Sequence, residues 1–116
     1  MLNIGNVHLH HYEIDEAIEN YEKALKIARK HNDKYSEGKL LRNIGSSHYM
    51  LSNYDQAEKY YLESQIYSAE LEDEQGKGEA LNNLGSVYIE KEDYIRAMNY
   101  YKNWYEIFSK IDKKIQ

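Results

Sequence analysis

The sequence predicts an all-α fold in which three antiparallel helical hairpins stack side by side as a solenoid. The first observation is a repeat: Gly5, Gly45 and Gly85 stand 40 residues apart, and each closes a similar five-residue phrase. The second is composition, because the 116 residues contain no Pro and only six Gly and are rich in helix formers. Self-similarity at a fixed period indicates one supersecondary unit copied along the chain.

The first helix of each unit is predicted around its Gly. Apolar residues recur at helical spacing on both sides of it, as Leu81, Leu84 and Tyr88 do around Gly85. Gly inside a helix costs about 1 kcal/mol relative to Ala. Its recurrence therefore indicates a place where a second backbone approaches closely.

The second helix of each unit is predicted from small and aromatic residues on one face. Twelve residues after each Gly comes an Ala, and four residues later a Tyr, giving Ala17, Ala57, Ala97, Tyr21, Tyr61 and Tyr101. Short turns are expected at Glu13–Ile14, Asn53–Tyr54 and Asp93–Tyr94. Asn53 and Asp93 are expected to cap the helices that follow them.

The pattern Leu81-x-x-Leu84-Gly85-x-x-Tyr88, followed by Ala97-x-x-x-Tyr101, resembles the tetratricopeptide repeat. The resemblance implies a right-handed solenoid over residues 1–116, with repeats at about 1–32 (first helix truncated), 33–72 and 73–112. The initial Trp and terminal Pro of the family pattern are missing. The unit of 40 residues exceeds the usual 34 and is similar to LGN/Pins-type adaptors, kinesin light chains and bacterial Rap-type or sensor-kinase regulators. Those relatives bind peptides or protein segments.

Charge and composition narrow the classes of partner. The net charge is −5 with both signs interspersed, which disfavours nucleic acid. No apolar stretch approaches the roughly 20 residues that span a bilayer, and the chain has no Cys. We therefore expect a soluble cytoplasmic protein whose partners are proteins or peptides, with no membrane or nucleic-acid role.

A candidate binding surface lies on the first helices, opposite their apolar stripe. Asn3, Asn43 and Asn83 recur there once per repeat and should line up on the concave wall. An Asn amide offers a donor and an acceptor to an extended peptide backbone, and the resemblance implies the same role. Capping or bridging of neighbouring helices is the alternative. The full predicted set is Asn3, Asn6, Arg42, Asn43, Ser46, Tyr49, Asn82, Asn83 and Ser86.

A carboxylate clamp for chaperone tails is disfavoured. Asn6 and Asn43 match its Asn positions, but its cationic positions fall on Leu2, Glu79 and Asn83. Arg42 is the cation beside the Asn positions, and a single exposed Arg is most often simply solvated.

Catalysis and metal binding are not expected, and no cofactor is predicted. The chain shows no nucleophile motif and no Gly-rich phosphate loop. His8, His10 and His11 share one helix, but no acidic residue or Cys nearby on that face completes a ligand set.

The last repeat predicts a second interface. Where the second repeat carries the small or polar residues Glu58, Ser64, Gln65 and Ser68 on its second helix, the third carries Met98, Trp104, Tyr105 and Phe108. A bulky exposed stripe of this kind predicts contact with a partner. A homodimer through this helix and contact with missing flanking repeats of a larger, bacterial-type regulator are both open.

Overall fold

The computed structural model describes the backbone of residues 4–115 and the side chains of residues 10–112. These residues form five α-helices and no strand: α1 (Ile4–Lys30), α2 (Lys34–Met50), α3 (Tyr54–Glu70), α4 (Glu74–Glu90) and α5 (Tyr94–Ile115). Each helix packs against the next along the chain, and α2 also contacts α4. The predicted all-α solenoid is confirmed.

Two apolar clusters hold successive helices together. Leu25 of α1 packs with Leu41 and Ile44 of α2. Ala57 and Tyr61 of α3 pack with Leu84 and Val87 of α4, in a cluster edged by partly buried tyrosines. Because the second cluster joins one hairpin to the next, it fixes how α4 lies beside α2.

Gly45 and Gly85 lie where a helix meets an aromatic ring. A Cβ built on Gly45 would lie 2.9 Å from Cδ1 and Cε1 of Tyr61, and one on Gly85 would lie 2.9 Å from Cε1 and Cζ of Tyr101. These separations are below van der Waals contact, so each tyrosine ring occupies the space that a side chain would need. The predicted approach of a second backbone is confirmed at Gly45, where the Ala57 carbonyl oxygen would lie 3.4 Å from the added Cβ, whereas the nearest atoms at Gly85 all belong to the Tyr101 ring.

The four links between helices share one backbone conformation. Asn32, Ser52, Glu72 and Glu92 each adopt the left-handed conformation, with φ between 53° and 62°. The residue after each one begins the next helix as its N-cap. Such a residue in the left-handed region is a common way to end a helix. The turn therefore recurs every 20 residues, both within and between hairpins.

The side chains of the N-cap residues contribute unequally. Asp33 and Asp73 accept hydrogen bonds from the backbone N–H of Ser36 and Gly76, at 3.2 and 3.0 Å. Asp93 accepts one from Arg96 N–H at 3.2 Å, so the predicted cap is confirmed there. Asn53 does stand at the N-cap position of α3, but the side-chain hydrogen bond predicted there does not form, and its amide nitrogen lies 3.5 Å from Nδ1 of His48.

The first predicted hairpin does not form. The turn expected at Glu13–Ile14 is wrong, because α1 runs without interruption from Ile4 to Lys30. The 20-residue period assigns the left-handed position to Tyr12 and the N-cap position to Glu13. Bulky Tyr is disfavoured at positive φ, and Glu is a poor N-cap but a good helix former. The helix therefore continues through both residues.

Candidate functional site

A groove opens between α2 and α4, the two neighbouring first helices. Its volume is about 190 Å³, and it is lined by Ser46, Tyr49, Met50, Tyr61, Asn83 and Ser86. Residues 46, 49 and 50 share one face of α2, and residues 83 and 86 share one face of α4. Four of the predicted binding residues, Ser46, Tyr49, Asn83 and Ser86, are thus brought together.

The floor of the groove is tied to the second helices by hydroxyl pairs. Ser46 Oγ lies 2.9 Å from Tyr61 Oη, and Ser86 Oγ lies 3.0 Å from Tyr101 Oη. Burial raises the pKa of Tyr61. Ser46 and Ser86, which were predicted to lie opposite the apolar stripe, therefore do contact the second helices. Each tyrosine ring lies over the Gly of the first helix, and its hydroxyl reaches the helix face that carries the serine.

Asn83 differs from those serines because its side-chain amide is not paired with another group in the described part of the chain. It is half-buried in the lining of the groove, and its amide makes no hydrogen bond to any residue whose side chain the structure describes. Asn43, its counterpart in the preceding repeat, is also half-buried and lies one turn before Ser46, outside the lining. An equivalent groove for Asn43 would need a first helix folded back beside α2, whereas α1 runs straight on.

One lining residue of the groove, Tyr49, is held in place by a second tyrosine and a carboxylate. The Tyr49 and Tyr54 hydroxyls each donate to the Glu90 carboxylate at 3.4 Å. The two rings meet edge to face, with centroids 5.5 Å apart. Burial, and next the charge of Glu90, raise the pKa of Tyr49. The Tyr49 ring is held as a wall, and Met50 beside it is exposed.

The remaining predicted residues lie away from the groove. Arg42 pairs with Glu79 of α4 at 3.1 Å, and its side chain is only 14 % exposed. Its charge is thus matched within the chain, although sequence spacing gave no sign of this partner. Asn82 is half-buried, and its backbone carbonyl accepts from Ser86 Oγ at 3.3 Å. The side chains of Asn3 and Asn6 lie outside the described residues.

The predicted C-terminal interface is only partly free. Met98, Tyr105 and Phe108 are exposed, whereas Trp104 is half-buried and stacks on Phe108 with ring centroids 5.5 Å apart. Trp104 also lies beside Gly78 of α4, 3.8 Å from where a Cβ would stand. The indole thus packs largely against its own chain.

A polar cluster that sequence reasoning missed joins α3 to α4. Lys91 pairs with Asp55 at 2.5 Å and with Glu58 at 3.6 Å. Tyr88, only 5 % exposed, hydrogen-bonds to Glu58, and the Arg96 guanidinium lies 5.5 Å from the centre of its ring. Burial first, and then the bond to Glu58, raise the pKa of Tyr88 to about 12. The cluster depends on how α3 and α4 align side by side, and the spacing of residues along the sequence does not predict that alignment.

The raised pKa of Tyr88 predicts a loss of stability in alkali. The folded state favours the neutral phenol, so this contribution is complete below the unfolded pKa of about 10 and disappears as the pH rises towards 12. We expect the free energy of unfolding to fall more steeply above pH 10 in the wild type than in Tyr88→Phe. Urea unfolding followed by circular dichroism from about pH 9 to about pH 11.5, a range that begins below the unfolded pKa of about 10, measures both slopes.

Tyr35→Phe, at an exposed tyrosine of α2, is the matched control and should keep the wild-type slope. Equal slopes for wild type and Tyr88→Phe would show that Tyr88 does not control the alkaline loss.

Other kinds of site are not evident in the described part of the chain. Its residues bring together no three His, Cys, Asp or Glu side chains able to hold a metal ion. None of its helices has the length and apolar character needed to cross a membrane.

Stacked helical hairpins with a groove between successive first helices define a helical-repeat solenoid, a class whose fold indicates a protein–protein interaction module. The tetratricopeptide repeat family model matches residues 1–64 and 36–110. The chain therefore belongs to the tetratricopeptide repeat family.

Solved structures share the fold. The TPR domain of Arabidopsis FLU superposes with a TM-score of 0.79 at 24% identity, covering 91% of this chain and 89% of that one. BtubC (BKLC) from P. vanneervenii gives a TM-score of 0.74 at 28% identity, covering 82% of this chain but 39% of BtubC. The comparison with curated proteins gives no match. The finer resemblance to LGN/Pins-type adaptors and kinesin light chains stays a prediction.

Proposed function

We propose that this chain is a noncatalytic interaction module that captures an extended peptide in the groove between α2 and α4. The observation that carries the proposal is Asn83. Its amide lines the groove and has no hydrogen-bond partner among the described side chains and backbone, whereas the nearby Ser46 and Ser86 hydroxyls are already paired with tyrosines.

An extended peptide suits the chemistry of this amide. The Asn83 side chain can donate to a peptide carbonyl and accept from a peptide N–H, which fixes a backbone without selecting its sequence. Because the hydroxyl pairs hold the floor in place, little side-chain ordering is needed on binding. The groove thus offers a prepared site for main-chain hydrogen bonds.

Selectivity would come from the part of the groove around Tyr49. Tyr49 and exposed Met50 offer an apolar surface, and Met adapts easily to differently shaped side chains. Glu90 adds a negative charge beside Tyr49, while Arg42 is neutralised by Glu79. This arrangement favours a peptide with an apolar side chain flanked by neutral or basic residues, and it disfavours an acidic peptide.

The test uses a peptide selected from a displayed random library on the wild-type chain. Asn83→Ala should weaken binding of that peptide about fivefold or more, because a lost hydrogen bond of about 1 kcal/mol corresponds to that factor. Asn43→Ala should have a smaller effect, since Asn43 stands outside the groove lining. Fluorescence anisotropy of the labelled peptide gives both dissociation constants.

Asn103→Ala supplies the control, because Asn103 is an exposed residue of α5. It should bind the peptide as tightly as the wild type. Unchanged affinity in Asn83→Ala, with thermal unfolding also unchanged, would rule out capture by this amide.

A further inference from the structure

An apolar seam runs along the exposed side of α5. Tyr94, Met98, Tyr105 and Phe108 all have more than half of their surface in solvent, with Met98 at 71 % and Tyr105 at 65 %. With half-buried Tyr101 between them, these residues are spaced by alternating steps of four and three. That is the spacing of a coiled-coil seam, which pairs one helix with another.

The positions of the seam correspond to an interface already present in the chain. One repeat earlier, Tyr54, Glu58 and Ser68 of α3 take the places of Tyr94, Met98 and Phe108. They meet α4: Tyr54 packs on the apolar cluster, and Glu58 bonds Tyr88. Ser68 Oγ lies 2.9 Å from where a Cβ on Gly76 would stand. The exposed side of α5 is therefore the side by which this fold contacts a further helix.

A further repeat of the same kind fits this seam poorly. On α3 the small Ser68 lets α4 come close, and Glu58 receives the polar groups of Tyr88 and Lys91. On α5 those places hold the ring of Phe108 and the thioether of Met98. The ring would hold a helix farther away, and the thioether cannot replace the carboxylate. A partner of apolar, aromatic character suits the seam better.

We infer that the seam binds the same seam of a second copy, with the two α5 helices antiparallel and a two-fold axis at Tyr101. The order Tyr94, Met98, Tyr101, Tyr105, Phe108 is self-complementary under this symmetry. Met98 faces Tyr105 of the other copy, Tyr94 faces Phe108, and the two Tyr101 residues meet at the axis. An isologous contact of this kind closes as a dimer and leaves no open end.

The area available is sufficient for a specific contact. Aromatic side chains bury roughly 150–250 Å² each when fully covered, and the four seam residues expose between 54 % and 71 % of their surface, so together they supply about 500 Å² per copy. Two copies then bury about 1,000 Å², the lower limit for specific interfaces. The dimer is expected to be reversible, with a dissociation constant in the micromolar range.

Sedimentation equilibrium of the full chain over a range of concentrations tests the dimer. The mass should rise towards twice the chain mass of 13.8 kDa. Met98→Glu with Tyr105→Glu places charges in the seam and should raise the dissociation constant about 100-fold or more. Because both residues are exposed, thermal unfolding of the variant monitored in dilute solution should stay close to that of the wild type.

Two controls make the outcome specific. Ile27→Glu changes an equally exposed apolar residue on α1 and should leave the dimer intact, as should Asn83→Ala in the groove.

Disulfide formation tests the antiparallel register. The chain has no Cys, so Met98→Cys and Tyr105→Cys chains can be mixed. The antiparallel register predicts that they oxidise to a mixed disulfide in preference to either self-pair. The inference would be overturned if the chain stays monomeric at all concentrations, or if the two Glu substitutions leave the dissociation constant unchanged. It would also be overturned if the Cys variants form disulfides with copies of themselves rather than with each other.

Discussion

Gly45→Ala is expected to lower the free energy of unfolding by about 2 kcal/mol. The new methyl group would lie 2.9 Å from two ring carbons of Tyr61 and 3.4 Å from the backbone oxygen of Ala57. Tyr61 is only 2 % exposed and its hydroxyl is bonded to Ser46, so the ring cannot move without breaking that bond. Overpacking costs about 1–3 kcal/mol, and the upper end applies here because the ring is buried and bonded. Subtracting the roughly 1 kcal/mol that Ala gains in helix propensity leaves a net loss of about 2 kcal/mol.

Gly78→Ala is the matched control for that substitution. It also introduces a methyl group inside a helix, but its nearest neighbour would be Cγ2 of Ile107 at 3.5 Å, an ordinary contact. We expect Gly78→Ala to be neutral or stabilising by up to about 1 kcal/mol. Urea unfolding of both variants by circular dichroism makes the comparison. Equal changes in the two variants would mean that the Tyr61 ring does not limit the space at Gly45.

The sequence predicted the packing of the second and third hairpins because it depends on steric necessity. Gly45 and Gly85 stand where any side chain would meet a tyrosine ring, and Ala57 and Ala97 are fully buried. Such constraints leave the same residue types at the same spacing, so a period in the sequence reports them directly.

The candidate site was predicted less completely because it depends on how neighbouring helices are arranged. Periodicity identified one face of the first helices, and the groove does contain Ser46, Tyr49, Asn83 and Ser86. It could not show that the serines bond to tyrosines of the second helices. Nor could it show that Arg42 meets Glu79. Those contacts depend on crossing angles and rotamers, which no residue spacing encodes.

In the first repeat, the 40-residue period predicts a turn at a place where the residue types favour a continuous helix. Ala17 and Tyr21 repeat the second-helix pattern, yet Ala17 stays half-buried where Ala57 is fully buried. The 40-residue period predicts a turn before them, but Tyr12 and Glu13 lack the residue types that make the other four turns. The period of 20 residues in those turns is the signal that would have identified the exception.

Giving residues 12 and 13 residue types that favour a turn should convert α1 from one straight helix into a hairpin. Tyr12→Gly with Glu13→Asp supplies a residue that tolerates positive φ and an N-cap side chain. The Gly weakens the straight helix by about 1 kcal/mol, and the turn gains about 2 kcal/mol from the relieved backbone and the cap. The combined shift of about 3 kcal/mol favours a closed hairpin more than 100-fold relative to the wild-type balance.

Spin labels on Asn6→Cys and Lys23→Cys, both within α1, can detect the change, since the chain has no other Cys. In the straight helix the labelled positions lie about 25 Å apart, whereas in a hairpin the two helix axes lie about 10 Å apart. Pulsed electron resonance on labelled chains diluted with unlabelled chains should show the long distance in the wild type and the short one in the variant.

Tyr12→Phe with Glu13→Gln, which keeps helix-forming residues at both positions, should retain the long distance. A long distance in the Gly-Asp variant as well would mean that the two turn residues do not hold α1 straight. A short distance would show instead that residues Gly5, Ala17 and Tyr21 still encode the packing of a hairpin. Two adjacent residues would then decide whether the first repeat forms.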